Sequence, residues 1–235
     1  RLRCDWSSDV CSSDLHAHVS GVSVITGGHG LRRFLSDLAG DSEGKVAIPT
    51  TLNSAGCDHE RMEEMGIDHP GFLEQQFEIV HAYSNLGIEA TLSCTPYDRG
   101  VDTGEGIGSW AESNAVCFSN SYTSLVTNRE SGLSALASAL TGWAPFWGLH
   151  IPSNRAPNIH VHVECKMADI TDWSVLGDWI GKQVLPEWDL PWGPIPRLAG
   201  LPACAHFALR HALTSAAATS PSPPPSAPRH TPPPP

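Results

Sequence analysis

The run from Pro70 to Tyr97, PGFLEQQFEIVHAYSNLGIEATLSCTPY, decides the fold class. A proline near its start, Leu73, Phe77 and Val80 at helical spacing, and Gly87 as a stop predict an amphipathic helix. Ile88 to Ser93 then reads as a strand, and it ends in a knot of small polar residues, Cys94-Thr95-Pro96-Tyr97. The same grammar recurs on both sides. Lys45-Val46-Ala47-Ile48 reads as a short buried strand stopped by Pro49, followed by Thr50-Thr51-Leu52-Asn53. Ala115 to Phe118 reads as another strand, followed by Ser119-Asn120-Ser121. Ser134 to Leu140 is alanine-rich and helical, closed by Gly142, and Phe146 to Leu149 offers the next strand. Strands alternating with helices predict an α/β fold, layered α/β/α around a mainly parallel sheet. In open sheets of this kind ligands bind beyond the carboxyl ends of the strands, so the three polar knots predict one shared pocket. Ordinary turn chemistry, which also favours Thr, Asn, Ser and Pro, accounts for the same composition.

The two ends read differently. The chain starts with Arg1, and residues Cys4 to Leu15, CDWSSDVCSSDL, show neither helical nor strand periodicity. They back-translate in full to a widely used sequencing-library adapter, so residues 1–15 are expected to be an artefact outside the fold. Half of the 20 prolines lie from Pro202 onward, and the chain stops in Pro232-Pro233-Pro234-Pro235. Residues 201–235 therefore read as a polyproline tail or as message translated out of frame. The expected domain is residues 16–200.

A net charge of -11 argues against a nucleic-acid surface, which needs a basic stripe, and obliges any anionic substrate to be held by local donors. No apolar run reaches membrane-spanning length. Setting aside Cys4 and Cys11 leaves Cys57, Cys94, Cys117, Cys165 and Cys204, an odd and unevenly spaced set. That is a poor disulfide framework and favours reduced thiols in a cytoplasmic setting.

The runs IPTTLNSAG, SCTPY, GSWAESNAVCFSNS, VTNRESGLSALASALTG and WGLH, in unbroken order from His16 to Pro202, closely resemble the catalytic domain of the aconitase X family. That family includes phosphomevalonate dehydratase large subunits and cis-3-hydroxy-L-proline dehydratases. The resemblance implies an incomplete aconitase-like domain and an iron–sulfur-dependent hydro-lyase. Cys94 in SCTPY matches the family cysteine that ligates the cluster, thiolates being the usual protein ligands. Gly21-Val22-Ser23, Asn53-Ser54 and Glu112-Ser113 match segments lining the substrate site of the phosphomevalonate branch. Arg129, in Thr127-Asn128-Arg129-Glu130, matches a loop whose guanidinium can take a carboxylate or phosphate bidentately. The GVS run favours a 5-phosphomevalonate-like substrate over cis-3-hydroxy-L-proline. Ser54 departs from the proline or alanine expected there.

The implied reaction removes hydroxide, a poor leaving group, from a β-hydroxy carboxylate. An iron with an open coordination position would act on it as a Lewis acid, and the proton-abstracting serine is expected on a separate small swivelling domain or subunit. The other cluster thiolates are expected outside this chain, so the fragment alone is expected to be inactive. Cys117 reads as a buried inert thiol, and Cys57 as a lesser ligand candidate near the pocket. The alternation His160-Val161-His162-Val163-Glu164 would put two imidazoles and a carboxylate on one strand face, a zinc-like set. It equally describes any half-exposed strand, and that reading is preferred there and for the pair His16 and His18. The rival function class is an inactive remnant with only a small-molecule or metal pocket.

Overall fold

The computed structural model describes residues 9–10, 15–40, 45–58, 60–62, 64–66, 71–101, 105–156 and 161–184. Four parallel strands form the sheet: β2 (Leu15–Val19), β3 (Thr50–Leu52), β4 (Glu105–Trp110) and β5 (Ser124–Arg129), in the order β3-β2-β4-β5. A separate two-residue strand, β1 (Asp9–Val10), pairs antiparallel with β6 (Ala144–Pro145). Of the residues that the sequence sets aside as adapter, Asp9 and Val10 thus occupy a ladder, and Leu15 opens the central strand fully buried. The helices are α1 (Val24–Gly40, kinked at Gly28), α2 (Phe72–Asn85), α3 (Ser113–Tyr122), α4 (Gly132–Thr141) and α5 (Ile170–Val184). The expected α/β class and mainly parallel sheet are what the structure shows.

The register sorts side chains onto two faces, because successive residues of a strand point to opposite sides. Val19 and Leu52 are paired, and they join Leu35 of α1, Ile79 and Tyr83 of α2, and Ala135 and Leu136 of α4 in one apolar cluster. His18, Thr51 and Trp110 share the other face, where Trp110 and Leu125 pack with Ala115 and Val116 of α3. Helices therefore cover both sides of the sheet.

Several local expectations are corrected. Lys45 to Ile48 is not a strand; the strand lies beyond Pro49, at Thr50–Leu52. Its backbone goes elsewhere: Val46 N–H donates to Leu86 O and Ala47 N–H to Ala139 O, so the segment ties down the ends of α2 and α4. Ile88 to Ser93 keeps a single bridge to β3, at Glu89. Ala115 to Phe118 is helical, since four apolar residues carry no period of their own and Glu112 caps the turn ahead of them. Phe146 to Leu149 runs into a 3-10 turn at Gly148–His150. The strands β4 and β5 went unread, β4 because Gly106 and Gly108 mimic a loop, and β2, read at His16 and His18 as a half-exposed strand, is central with His18 fully buried.

Two helices were read correctly, and one of them on the wrong face. Ser131 caps α4 in a capping box with Ser134, and Gly142 closes it. In α2 the inward stripe is Phe72, Gln76, Ile79 and Tyr83, while Phe77 stays exposed. Apolar residues span a wide arc of that helix, and the buried stripe was hidden by a glutamine at its centre.

Candidate functional site

The chain leaves β2 for α1 on one face and β4 for α3 on the other, although the two strands are neighbours. This is a topological switch point, and the crevice beyond such paired carboxyl ends is where open α/β sheets take ligands. The residues singled out above occupy that rim. Gly21, Val22 and Ser23 follow β2, Asn53 and Ser54 follow β3, Glu112 and Ser113 follow β4, and Arg129 ends β5.

Their contacts tie the rim together. Asn53 Nδ2 donates to Glu112 Oε2 at 2.8 Å, across the end of β2. Asn53 Oδ1 accepts from the Ser54 backbone N–H at 2.8 Å, so both ends of the amide are engaged. Glu112 is also the N-cap of α3, accepting from Asn114 N–H. Ser23 Oγ accepts from Ile25 N–H at the start of α1. At α4, a Cβ on Gly132 would lie 2.3 Å from Ser20 O, so only glycine lets this helix start against the loop after β2. Arg129 is exposed and forms no ion pair among the described residues.

Cys94 lies on a strap across this rim. Before it, Thr91 Oγ1 and Ser93 N–H donate to Leu52 O, anchoring the strap at the end of β3. Beyond it, Tyr97 stacks on Phe118 with ring centroids 3.6 Å apart and accepts from Asn114 Nδ2, anchoring it on α3. Half-buried Cys94 lies in the chain between these two anchors.

Not every predicted element belongs here. Ser119-Asn120-Ser121 sits on the last turn of α3, toward the amino ends of the strands; Ser119 Oγ donates to Leu125 O and Asn120 Nδ2 to Thr127 O. Two of the three polar knots therefore share the rim. Asn128 is likewise structural, accepting from Leu149 N–H and donating to Trp147 O. Cys117 is buried in α3, as expected of an inert thiol. Cys57 contacts Met62 Sδ, with its thiol pushed up by burial and then by Asp58. Val161 to Glu164 is exposed and non-regular, so the alternating strand is absent there; His160 lies outside the described residues. A separate cleft of about 740 Å³ between α1 and α2 is away from the rim, and Arg32 and Glu78 pair across it at 2.7 Å.

Near the carboxyl end of β2 lies a residue whose role was not read. His18 is fully buried, its Nδ1 is 2.8 Å from Thr51 Oγ1, and its ring tilts against Trp110 at 5.8 Å. Burial lowers its pKa from 6.5 to about 4, which keeps it neutral. An unfolded chain takes up this proton near the ordinary value, so stability is full above about 6.5 and falls as pH drops toward 4, by about 3 kcal/mol in all. Denaturant melts at about pH 7.5 and about pH 4.5 should show the gap between the native chain and His18→Gln narrowing by about 2 kcal/mol or more in acid. A gap independent of pH would refute this.

A profile described as the aconitase X first domain matches residues 12–153. The chain belongs to the aconitase X family. It is 41% identical to the phosphomevalonate dehydratase large subunit of Methanosarcina mazei over 171 residues, which is 72% of this chain and 41% of that protein. It is 36% identical to the cis-3-hydroxy-L-proline dehydratase of Hypocrea jecorina over 170 residues, 70% of this chain and 28% of that one. The crystal structure of aconitase X from Thermococcus kodakaraensis in its holo-form matches with a TM-score of 0.69 and 33% identity, over 86% of this chain and 48% of that chain. This aconitase X chain therefore spans less than half the length of each of these proteins.

Proposed function

We propose that the chain carries part of the substrate site of a hydro-lyase that removes water from a small β-hydroxy carboxylate, 5-phosphomevalonate-like before cis-3-hydroxy-L-proline. The Asn53–Glu112 bond at the switch point is the observation that carries this reading, because it joins two segments of the implied site at the same two elements, β3 and α3, that anchor the strap bearing Cys94. The rim also supplies what an anion needs. Helices α1, α3 and α4 all begin there, and the backbone N–H groups of a first turn favour negative charge. With the exposed guanidinium of Arg129, these donors offset the repulsion of a chain at -11. A substrate with a phosphate at one end and a carboxylate at the other uses two such donor sets, and the higher identity to phosphomevalonate dehydratase large subunits agrees. In this reading Glu112, oriented by Asn53, accepts from a substrate hydroxyl.

An iron–sulfur cluster is the implied cofactor, and Cys94 is the right type of ligand for it. Among the described residues, no three His, Cys, Asp or Glu side chains gather around a common point. One thiolate does not hold a cluster, so the remaining ligands are assigned to other parts of the protein. The proton-abstracting serine is assigned to a small swivelling partner, in keeping with relatives named as large subunits. Reduced thiols and a cytoplasmic setting remain part of this reading.

Two measurements test it. After anaerobic reconstitution, iron and acid-labile sulfide in the purified chain should stay well below one cluster per molecule; a stoichiometric cluster would overturn the assignment of ligands elsewhere. Residues 16–153 exchanged into the Methanosarcina mazei large subunit, with its small subunit, should support dehydration of 5-phosphomevalonate. Turnover of neither that compound nor cis-3-hydroxy-L-proline would favour the inactive remnant.

A further inference from the structure

Gln76 is the one carboxamide in the buried stripe of α2, and it is fully buried. Its amide meets two loops at once. Oε1 accepts from the Gly56 backbone N–H at 3.1 Å, and Nε2 donates to Val22 O at 2.9 Å. A backbone donor on one side and a carbonyl on the other leave the carboxamide a single satisfying orientation. Gly56 belongs to the loop that follows Asn53 and Ser54, and Val22 to the loop that carries Gly21 and Ser23. The two loops also pack directly: a Cβ on Gly56 would lie 2.5 Å from Ser23 Oγ and 2.9 Å from Gln76 Oε1.

We propose that Gln76 is a positioning residue whose amide clasps the loops after β2 and β3, so that the substrate contacts they carry are set as one unit. This rests on the reading of those loops as substrate-binding. An apolar residue would serve a purely packed stripe equally well. The glutamine is retained in that apolar setting with both of its hydrogen-bonding ends used, and each end goes to a different site loop. Buried polar groups of this kind specify one geometry when fully satisfied and loosen it when half satisfied. The clasp reaches the loops from the helix side of the sheet, so it touches no reacting group.

The test uses the full chain and two variants that attack the clasp differently. Gln76→Met keeps length and removes both hydrogen bonds; Gly56→Ala keeps Gln76 and wedges a methyl group between it and Ser23. In each, hydrogen exchange in the peptides 20–26 and 53–57 should speed up together by about tenfold or more, while peptides from β2 and β4 change much less. Acceleration of one loop alone, or equal acceleration of all core peptides, overturns the clasp. Binding of 5-phosphomevalonate, followed by calorimetry, should weaken by about tenfold in both variants. If the native chain does not bind that probe, the functional reading fails, and the exchange pattern still decides the clasp.

Discussion

Glu112→Ala, made in the chimeric large subunit, is expected to lower kcat/KM by about a hundredfold or more while the protein stays folded. The variant removes the acceptor that holds Asn53 at 2.8 Å and the carboxylate that caps α3. Loss of the cap costs only about 1 kcal/mol, a small part of the 5–15 kcal/mol or so that holds a domain together. Activity should fall far more than stability, because misplacement of a substrate-orienting group by an ångström already costs orders of magnitude. Glu112→Gln keeps an acceptor for Asn53 and Asn114 but loses the charge, so it should fall between the two. Dehydration assays and thermal melts on all three proteins check this. An alanine variant within a few-fold of native activity would remove Glu112 from the site.

Trp110→Ala is expected to destabilise the chain by about 3–5 kcal/mol. Among the described residues Trp110 is the largest fully buried side chain, packed against Ala115, Val116 and Leu125, with Tyr97 against the same cluster. Its removal opens a cavity between the sheet and α3 and takes away the support beneath the far anchor of the Cys94 strap. Urea melts read the loss as a lower midpoint at constant slope. A change below about 1 kcal/mol would mean that α3 is held by something other than this cluster.

Legibility in the sequence followed the range of each signal. The helices over 72–85 and 132–141 were readable because a glycine stop, with apolar periodicity in α2 and an alanine-rich run in α4, is a local signal. The strand at 50–52 was misplaced by a few residues, because Lys45 to Ile48 has the composition of a strand, and only its bonds to Leu86 and Ala139 reveal it as a tie between helix ends. The site residues were reached through resemblance, and the three polar knots alone would have put Ser119 to Ser121 into the pocket. Gln76 and His18 carry no local signal at all. A glutamine in a helix reads as surface, and a histidine in a strand reads as a partly exposed polar group.

The amino-acid sequence by itself determined the alternation of helices with β segments, the helix boundaries set by caps and stops, and the residue types available for binding an anion. Only the tertiary structure decided which apolar stripe of α2 faces inward, which strands are neighbours, and therefore that the loops at 20–23, 53–56 and 111–113 meet at one rim. The reason is physical. Caps, turns and periodicity act over a few residues, whereas the tertiary partners of Asn53, Gln76 and His18 are supplied by segments 20 to 59 positions away, brought within hydrogen-bonding reach only once the parallel sheet has closed.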